Sequence, residues 1–167
     1  MEPASIGTPS EVFVRLSAAL NARDVAALVE CFDPCYESEQ PAHPDRRFRG
    51  RGQVEQNWGA MFAGLPDFRA EVVRSAVDGD NLWVEWRWTG TRADGTQLDA
   101  RGACIFGVRA GRLTWGRLYM EDVATGRGIQ SAVASLAAGR SPAALAGPDS
   151  RDPSPATGLT LLEPTRP

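Results

Sequence analysis

A single histidine, His43, occurs in the 167 residues, which excludes any multi-histidine metal centre. Cysteine is nearly as scarce. Cys31, Cys35 and Cys104 are an odd number in a chain large enough not to need staples, and free thiols in a reducing cytoplasm are the expectation. Cys31-x3-Cys35 with His43 and Cys104 lacks convincing zinc-site spacing, so buried unreactive thiols are expected, with no metal and no cofactor. No apolar run approaches the ~20 residues of a membrane span. The N-terminal MEPASIGTPSEVF has neither the basic nor the apolar region of a signal peptide, so a cytoplasmic protein without a membrane partner is expected. Basic charge is not in excess either: 18 basic against 21 acidic residues give a net charge of −3 and a pI of about 5.2. No general attraction to nucleic acid follows. The densest basic patch, Arg46, Arg47, Arg49 and Arg51, is diluted by acidic neighbours and reads as a solvated loop; a nucleic-acid accessory role resting on it is the weakest of the functional readings.

What the chain does have is the composition of one globular domain, 43% hydrophobic and 23% charged, with five Trp and six Phe. Thr8-Pro9-Ser10-Glu11 has the form of a capping box with Pro at the first helical position. Val12, Phe13, Leu16, Ala19 and Leu20 follow at helical spacing. Asp24 can cap a second helix with the stripe Val25, Leu28, Val29 and Phe32, stopped by Pro34. CYESEQPAHP reads as a short strand entering a loop, and Gln53 to Ala63 as a third helix with Val54, Trp58, Met61 and Phe62 inward.

From Phe68 the period changes to two. FRAEVVRSAV, LWVEWRWTGT, QLDARGACIFGV and RLTWGRLYMEDV are separated by Asp78-Gly79-Asp80, Ala93-Asp94-Gly95 and Ala110-Gly111, residues that make hairpin turns. Helices first and a meander afterwards is an α+β pattern. The expected organisation is a flexible N-terminus (1–9), one domain (10–123), a short helix within 124–140, and a disordered Pro-rich tail (141–167).

In LWVEWRWTGT, alternation puts Leu82, Val84, Trp86 and Trp88 on one face and Trp83, Glu85, Arg87 and Thr89 on the other. On residue pattern alone, Glu85 and Arg87 are equally a solvated pair or the lining of a polar pocket.

The segments GACIFGVRAGRLTWGRLYMED, WRWTGTRADG and FRGRGQV resemble the SnoaL-like branch of the nuclear transport factor 2-like superfamily, over about Ser10 to Val123. The resemblance implies a cone-shaped curved antiparallel sheet packed against about three N-terminal helices, enclosing an apolar cavity, often in a homodimer. Members include polyketide cyclases, ketosteroid isomerases and limonene epoxide hydrolases, alongside non-catalytic domains. Laid against the epoxide hydrolases, the catalytic arginine and aspartate of one strand fall on Glu85 and Arg87, exchanged in order. Their remaining carboxylate, near the acid/base aspartate of the cyclases, falls on Leu118.

The implied catalytic set is therefore Glu85 as general base, Arg87 as its electrostatic partner, and His43 as a second acid/base. Tyr36, Gln40, Trp58, Trp83, Leu118 and Met120 are the implied substrate-binding residues. Tyr119 and Glu121 alternate with Leu118 and are expected to face the helices or a dimer partner. Two functions remain open: a cyclase, isomerase or epoxide-hydrolase-like enzyme acting on a small, mostly apolar organic substrate, or a non-catalytic ligand-binding or dimerisation module. Leu118, standing where an acid is expected, favours the module.

Overall fold

Thr8 starts the first helix as its sequence predicts. In the computed structural model, which describes residues 7–138, the Thr8 hydroxyl accepts from the Glu11 N–H at 3.3 Å. The Glu11 carboxylate accepts in return from the Thr8 N–H at 2.8 Å. Two otherwise orphaned donors are thus satisfied, and Pro9 has none to lose. The Pro-rich tail expected at 141–167 and most of the N-terminal segment expected to be flexible lie outside the described residues.

Helix α1 (Pro9–Ala22) buries Val12, Leu16, Ala19 and Leu20 along one face. Helix α2 (Val25–Glu30) is capped by Asp24, whose carboxylate accepts from the Ala27 N–H at 3.0 Å. It is shorter than its apolar stripe suggested. Phe32 and Pro34 belong instead to strand β1 (Phe32–Glu39). Pro34 lies where the pairing register of β1 is interrupted, between Phe32 and Glu37, so its missing N–H breaks no ladder. A 3₁₀ turn at Pro44–Arg46 and the two-residue strand β2 (Phe48–Arg49) lead into helix α3 (Arg51–Gly64).

Strands β3 (Arg69–Asp78), β4 (Asn81–Thr91), β5 (Gln97–Arg109) and β6 (Arg112–Asp122) form the meander. The two-residue hairpin Ala110-Gly111 has φ of 49° and 71°. Both positive values are what a two-residue turn matching strand twist requires. The six-stranded sheet runs β2-β1-β6-β5-β4-β3. Every neighbouring pair is antiparallel except β1 and β6, which run parallel, so the expected antiparallel sheet is a mixed one. Parallel neighbours need a long crossover, and residues 40–111 supply it. The edge strand β3 is covered in part by α1: the Asn21 carboxamide donates to the Ala70 carbonyl at 2.9 Å and accepts from the Ala70 N–H at 3.0 Å. That pairing gives an edge strand the partners it otherwise lacks.

Cross-strand register decides which side chains share a face. Trp86 lies opposite Val72 and Gly102, and Gly102 opposite Met120. Val84 lies opposite Cys104, which lies opposite Leu118. This inner face is apolar and meets α1 and α3, and Leu82, Val84 and Trp86 are each only 1% exposed. Burial of such side chains stabilises by about 1.5–3 kcal/mol each. The chain beyond Ala124 forms a second unit, whose described part contains helix α4 (Ile129–Ala138).

Candidate functional site: an apolar pocket under the helices

A pocket of about 250 Å³ lies between the helices and the inner face of the sheet. Each element contributes through its own period. Helix α1 supplies Leu16 and Leu20, and α3 supplies Val54, Asn57, Trp58 and Met61, all at turn spacing. Strand β1 supplies Phe32, Tyr36 and Ser38, followed by Gln40. Trp86 and Trp88 come from β4, Cys104 and Phe106 from β5, and Leu118 from β6.

Aromatic contacts stiffen one wall. Trp58 meets Trp88 edge to face at 5.5 Å and Phe68 at 5.7 Å. The Trp88 indole N–H is buried without an acceptor among the described residues. On the opposite side Tyr36 packs edge-on against Phe32 at 4.7 Å. Its hydroxyl lies over Gly116, where a side chain would collide with it.

The polar groups are few and uncharged. Burial pushes the Tyr36 phenol well above its ordinary range, against a smaller opposing effect of the neighbouring Ser38 side chain. Burial likewise pushes the Cys104 thiol up to about 12. Both groups are therefore neutral at physiological pH. Gln40 Oε1 accepts from Arg46 Nη1 at 3.2 Å, and the Gln40 carbonyl accepts from the His43 N–H at 2.7 Å. Asn57 Oδ1 accepts from Gln53 Nε2 at 2.8 Å. None of the lining residues is an Asp, Glu, His or Arg. Among the described residues no three His, Cys, Asp or Glu side chains group closely enough to hold a metal ion.

The residues expected from the sequence divide between two faces. Tyr36, Gln40, Trp58 and Leu118 line the pocket. Met120 is on the inner face and packs against the core without lining the pocket. Trp83, Glu85 and Arg87 lie on the outer face, which corrects the expected cavity placement. Glu85 pairs with Arg74 at 2.6 Å, and the Trp83 side of β4 is open, with Trp83 46% exposed. Arg87 does not pair with Glu85. It makes a forked contact with Asp99, at 3.1 and 3.2 Å, and Arg101 reaches the same carboxylate at 3.3 Å. The Asp99 carboxyl is held below its usual range by hydrogen bonds from Arg87 and then Arg101.

The reason is the ladder itself. Glu85 lies opposite Ala103, and Ala103 opposite Tyr119. With Leu118 inward, Tyr119 and hence Glu85 must face outward. His43 joins neither Glu85 nor Arg87; its Nε2 is 2.7 Å from Glu121 Oε1 on exposed surface.

Ser38, Asn57, Trp86, Trp88, Cys104 and Phe106 line the pocket without having been assigned to it from the sequence. A signal for three of them was present: Ser38 is two residues beyond Tyr36, and Trp86 and Trp88 continue the wholly apolar face of β4.

Comparison with known proteins agrees with this architecture. Three solved structures illustrate it. A proposed SnoaL-like polyketide cyclase from Jannaschia sp. CCS1 is 21% identical, with a TM-score of 0.60 over 72% of this chain and 91% of that one. A protein with a ketosteroid isomerase-like fold from Catenulispora acidiphila DSM 44928, crystallised with trimethylamine, is 19% identical, with a TM-score of 0.58 over 66% and 84%. IdmH, a proposed polyketide cyclase from Streptomyces antibioticus, is 22% identical, with a TM-score of 0.59 over 68% and 91%. At these identities the likeness is one of fold. No curated protein matches the chain in sequence. The SnoaL-like domain model matches residues 13–116, from the first helix into the last strand, and on that match this chain is a member of the SnoaL-like family.

Proposed function

We propose that this protein binds a small, uncharged, mostly apolar organic molecule in the pocket beneath α1 and α3. One observation carries the reading: about 250 Å³ of space is walled mostly by aliphatic and aromatic side chains, with no carboxylate, imidazole or guanidinium among the lining residues. A charged ligand would lose its hydration there and gain no counter-charge. Proton abstraction of the cyclase, isomerase or epoxide-hydrolase kind needs a base in the pocket, and Glu85 and Arg87 are engaged elsewhere.

The test is a thermal-shift screen against polyketide-, terpene- and steroid-like neutral compounds, with carboxylate and ammonium analogues beside them. At a hundredfold excess over Kd a ligand adds about 2.7 kcal/mol. For a chain of this length that raises Tm by about 5–10 °C. Saturable shifts confined to neutral compounds support the reading; shifts with none of them, or with the charged analogues alone, overturn it.

The outer sheet face suits a second copy of the chain. Trp83 and Tyr119 are 46% and 42% exposed there, flanked by the opposed pairs Arg74–Glu85 and Arg117–Glu39. A two-fold axis through such a patch sets like surface on like, apolar on apolar and basic on acidic. Sedimentation equilibrium of the protein and of Trp83→Glu tests this: a dimer lost on substitution supports it, and a wild-type monomer at micromolar concentration refutes it.

A further inference from the structure

How much the pocket can hold follows from its volume. An apolar cavity of about 150 Å³ takes one benzene ring, about 25 Å³ for each carbon. On that scale the roughly 250 Å³ beneath α1 and α3 has room for about ten heavy atoms, or two fused rings. Clefts for drug-sized ligands begin at about 300 Å³, and this pocket lies below them.

The walls that bound this space are close-packed and resist widening. Trp86 and Trp88 are 1% and 9% exposed, and Phe13 of α1 packs on Trp86 at 6.0 Å. Trp58, on the helical side, is half-buried. Its indole is nonetheless held by Phe62 at 5.4 Å, Trp88 at 5.5 Å and Phe68 at 5.7 Å. Swinging that ring aside for a larger ligand forfeits all three contacts.

We propose, resting on the binding reading above, that the pocket selects by size: it takes one- and two-ring molecules of about ten heavy atoms and turns larger ring systems away. Trp58 is the specificity-determining residue. Trp86 and Trp88 are core as well as wall, so shortening either one empties the core. Trp58 is wall with one side toward solvent, and shortening it enlarges the pocket itself. Trp58→Leu removes about six heavy atoms, room for one further ring on the same scale.

The experiment uses the full chain with benzene, naphthalene and phenanthrene, which grow by about one ring a step and carry no polar group. Dissociation constants are read by equilibrium dialysis or calorimetry. Apolar burial without a size limit tightens binding about tenfold at each step. Wild type is expected to follow that trend from benzene to naphthalene and to break it at phenanthrene, held about tenfold more weakly than naphthalene. Trp58→Leu is expected to hold phenanthrene more tightly than naphthalene.

Leu118→Ala, which opens the sheet side of the pocket by about three heavy atoms, is a second variant. It is expected to raise the phenanthrene-to-naphthalene affinity ratio above that of wild type. General damage to the fold weakens all three probes alike and leaves the ratio unchanged. Phenanthrene held by wild type as tightly as naphthalene, or more tightly, overturns the size limit and leaves the apolar-binding reading standing. An unchanged ratio in Trp58→Leu overturns the role of Trp58. Binding of none of the three probes by wild type overturns the apolar-binding reading itself.

Discussion

Leu118→Asp and Glu85→Gln, made side by side, test the assignment of the two sheet faces. Glu85 is on the outer face, its side chain 42% exposed and its partner Arg74 78% exposed. Exposed pairs of this kind contribute about 0–1 kcal/mol, so Glu85→Gln should move stability by no more than that. Leu118 is half buried against the pocket and lies opposite the fully buried Cys104. Removing its apolar burial costs about 1–2 kcal/mol. The new carboxylate would stand beside aromatic and aliphatic groups with no cation in the wall, and a rise of about two units in its pKa adds about 2.7 kcal/mol.

The sum is about 4 kcal/mol at pH 7, and it carries a sign. An Asp whose folded pKa is raised disfavours the native state once the unfolded chain ionises. The deficit grows as pH rises from about 4, levels off above the raised folded value, and shrinks on acidification. Urea melts of wild type and both variants between pH 3.5 and 8 give these differences. Near-equal midpoints for the two variants across that range would refute the inward placement of Leu118, and with it the pocket described here.

Three further outcomes follow from other parts of the molecule. Native protein should give one fast-reacting thiol with an aromatic disulfide reagent, since Cys35 is exposed while Cys31 and Cys104 are buried; denaturant should release all three. Ala110→Asn should raise stability by about 0.5–1 kcal/mol in thermal melts, because Asn tolerates the left-handed conformation that Ala110 adopts at φ 49°. Asp99→Asn should lower the urea midpoint at pH 7. Asp99 has a depressed folded pKa, so its contribution is present above the unfolded value and is lost as pH falls through the folded one; wild type and variant should converge at the acid end.

The helices and hairpins were legible because their determinants are local. Thr8, Pro9 and Glu11 name a helix start, Asp24 names another, and the Gly-containing turns name the hairpins. Phe32 was misjudged because a stripe at helical spacing can run on into a strand, and only the tertiary pairing of β1 with β6 decides where the helix gives way. The family resemblance supplied the fold, and with it a register that set both Glu85 and Leu118 inside. Antiparallel pairing forbids that combination. The alternation of β4 already held the better signal, since Leu82, Val84, Trp86 and Trp88 form a face with no polar member. The polar residues of the pocket wall were only partly visible. Tyr36 and Gln40 stood out by type, but Asn57 lies on a helix whose inward direction is set by packing against residues far away in sequence.

The parallel seam between β1 and β6 has a consequence for how the protein assembles. The meander β3 to β6 joins neighbours in sequence through short turns and can form early. Strand β1, which carries Tyr36 and Ser38, is made long before β6 during synthesis, yet among the described residues β6 and the two-residue β2 are its only strand neighbours. On an emerging chain its pairing with β6 must therefore wait, with only the short β2 beside it, until Arg112 and the residues after it have left the ribosome. The pocket wall is the last part of the domain to close, and a nascent chain cut short before β6 would have most of its sheet and a pocket open at Leu118.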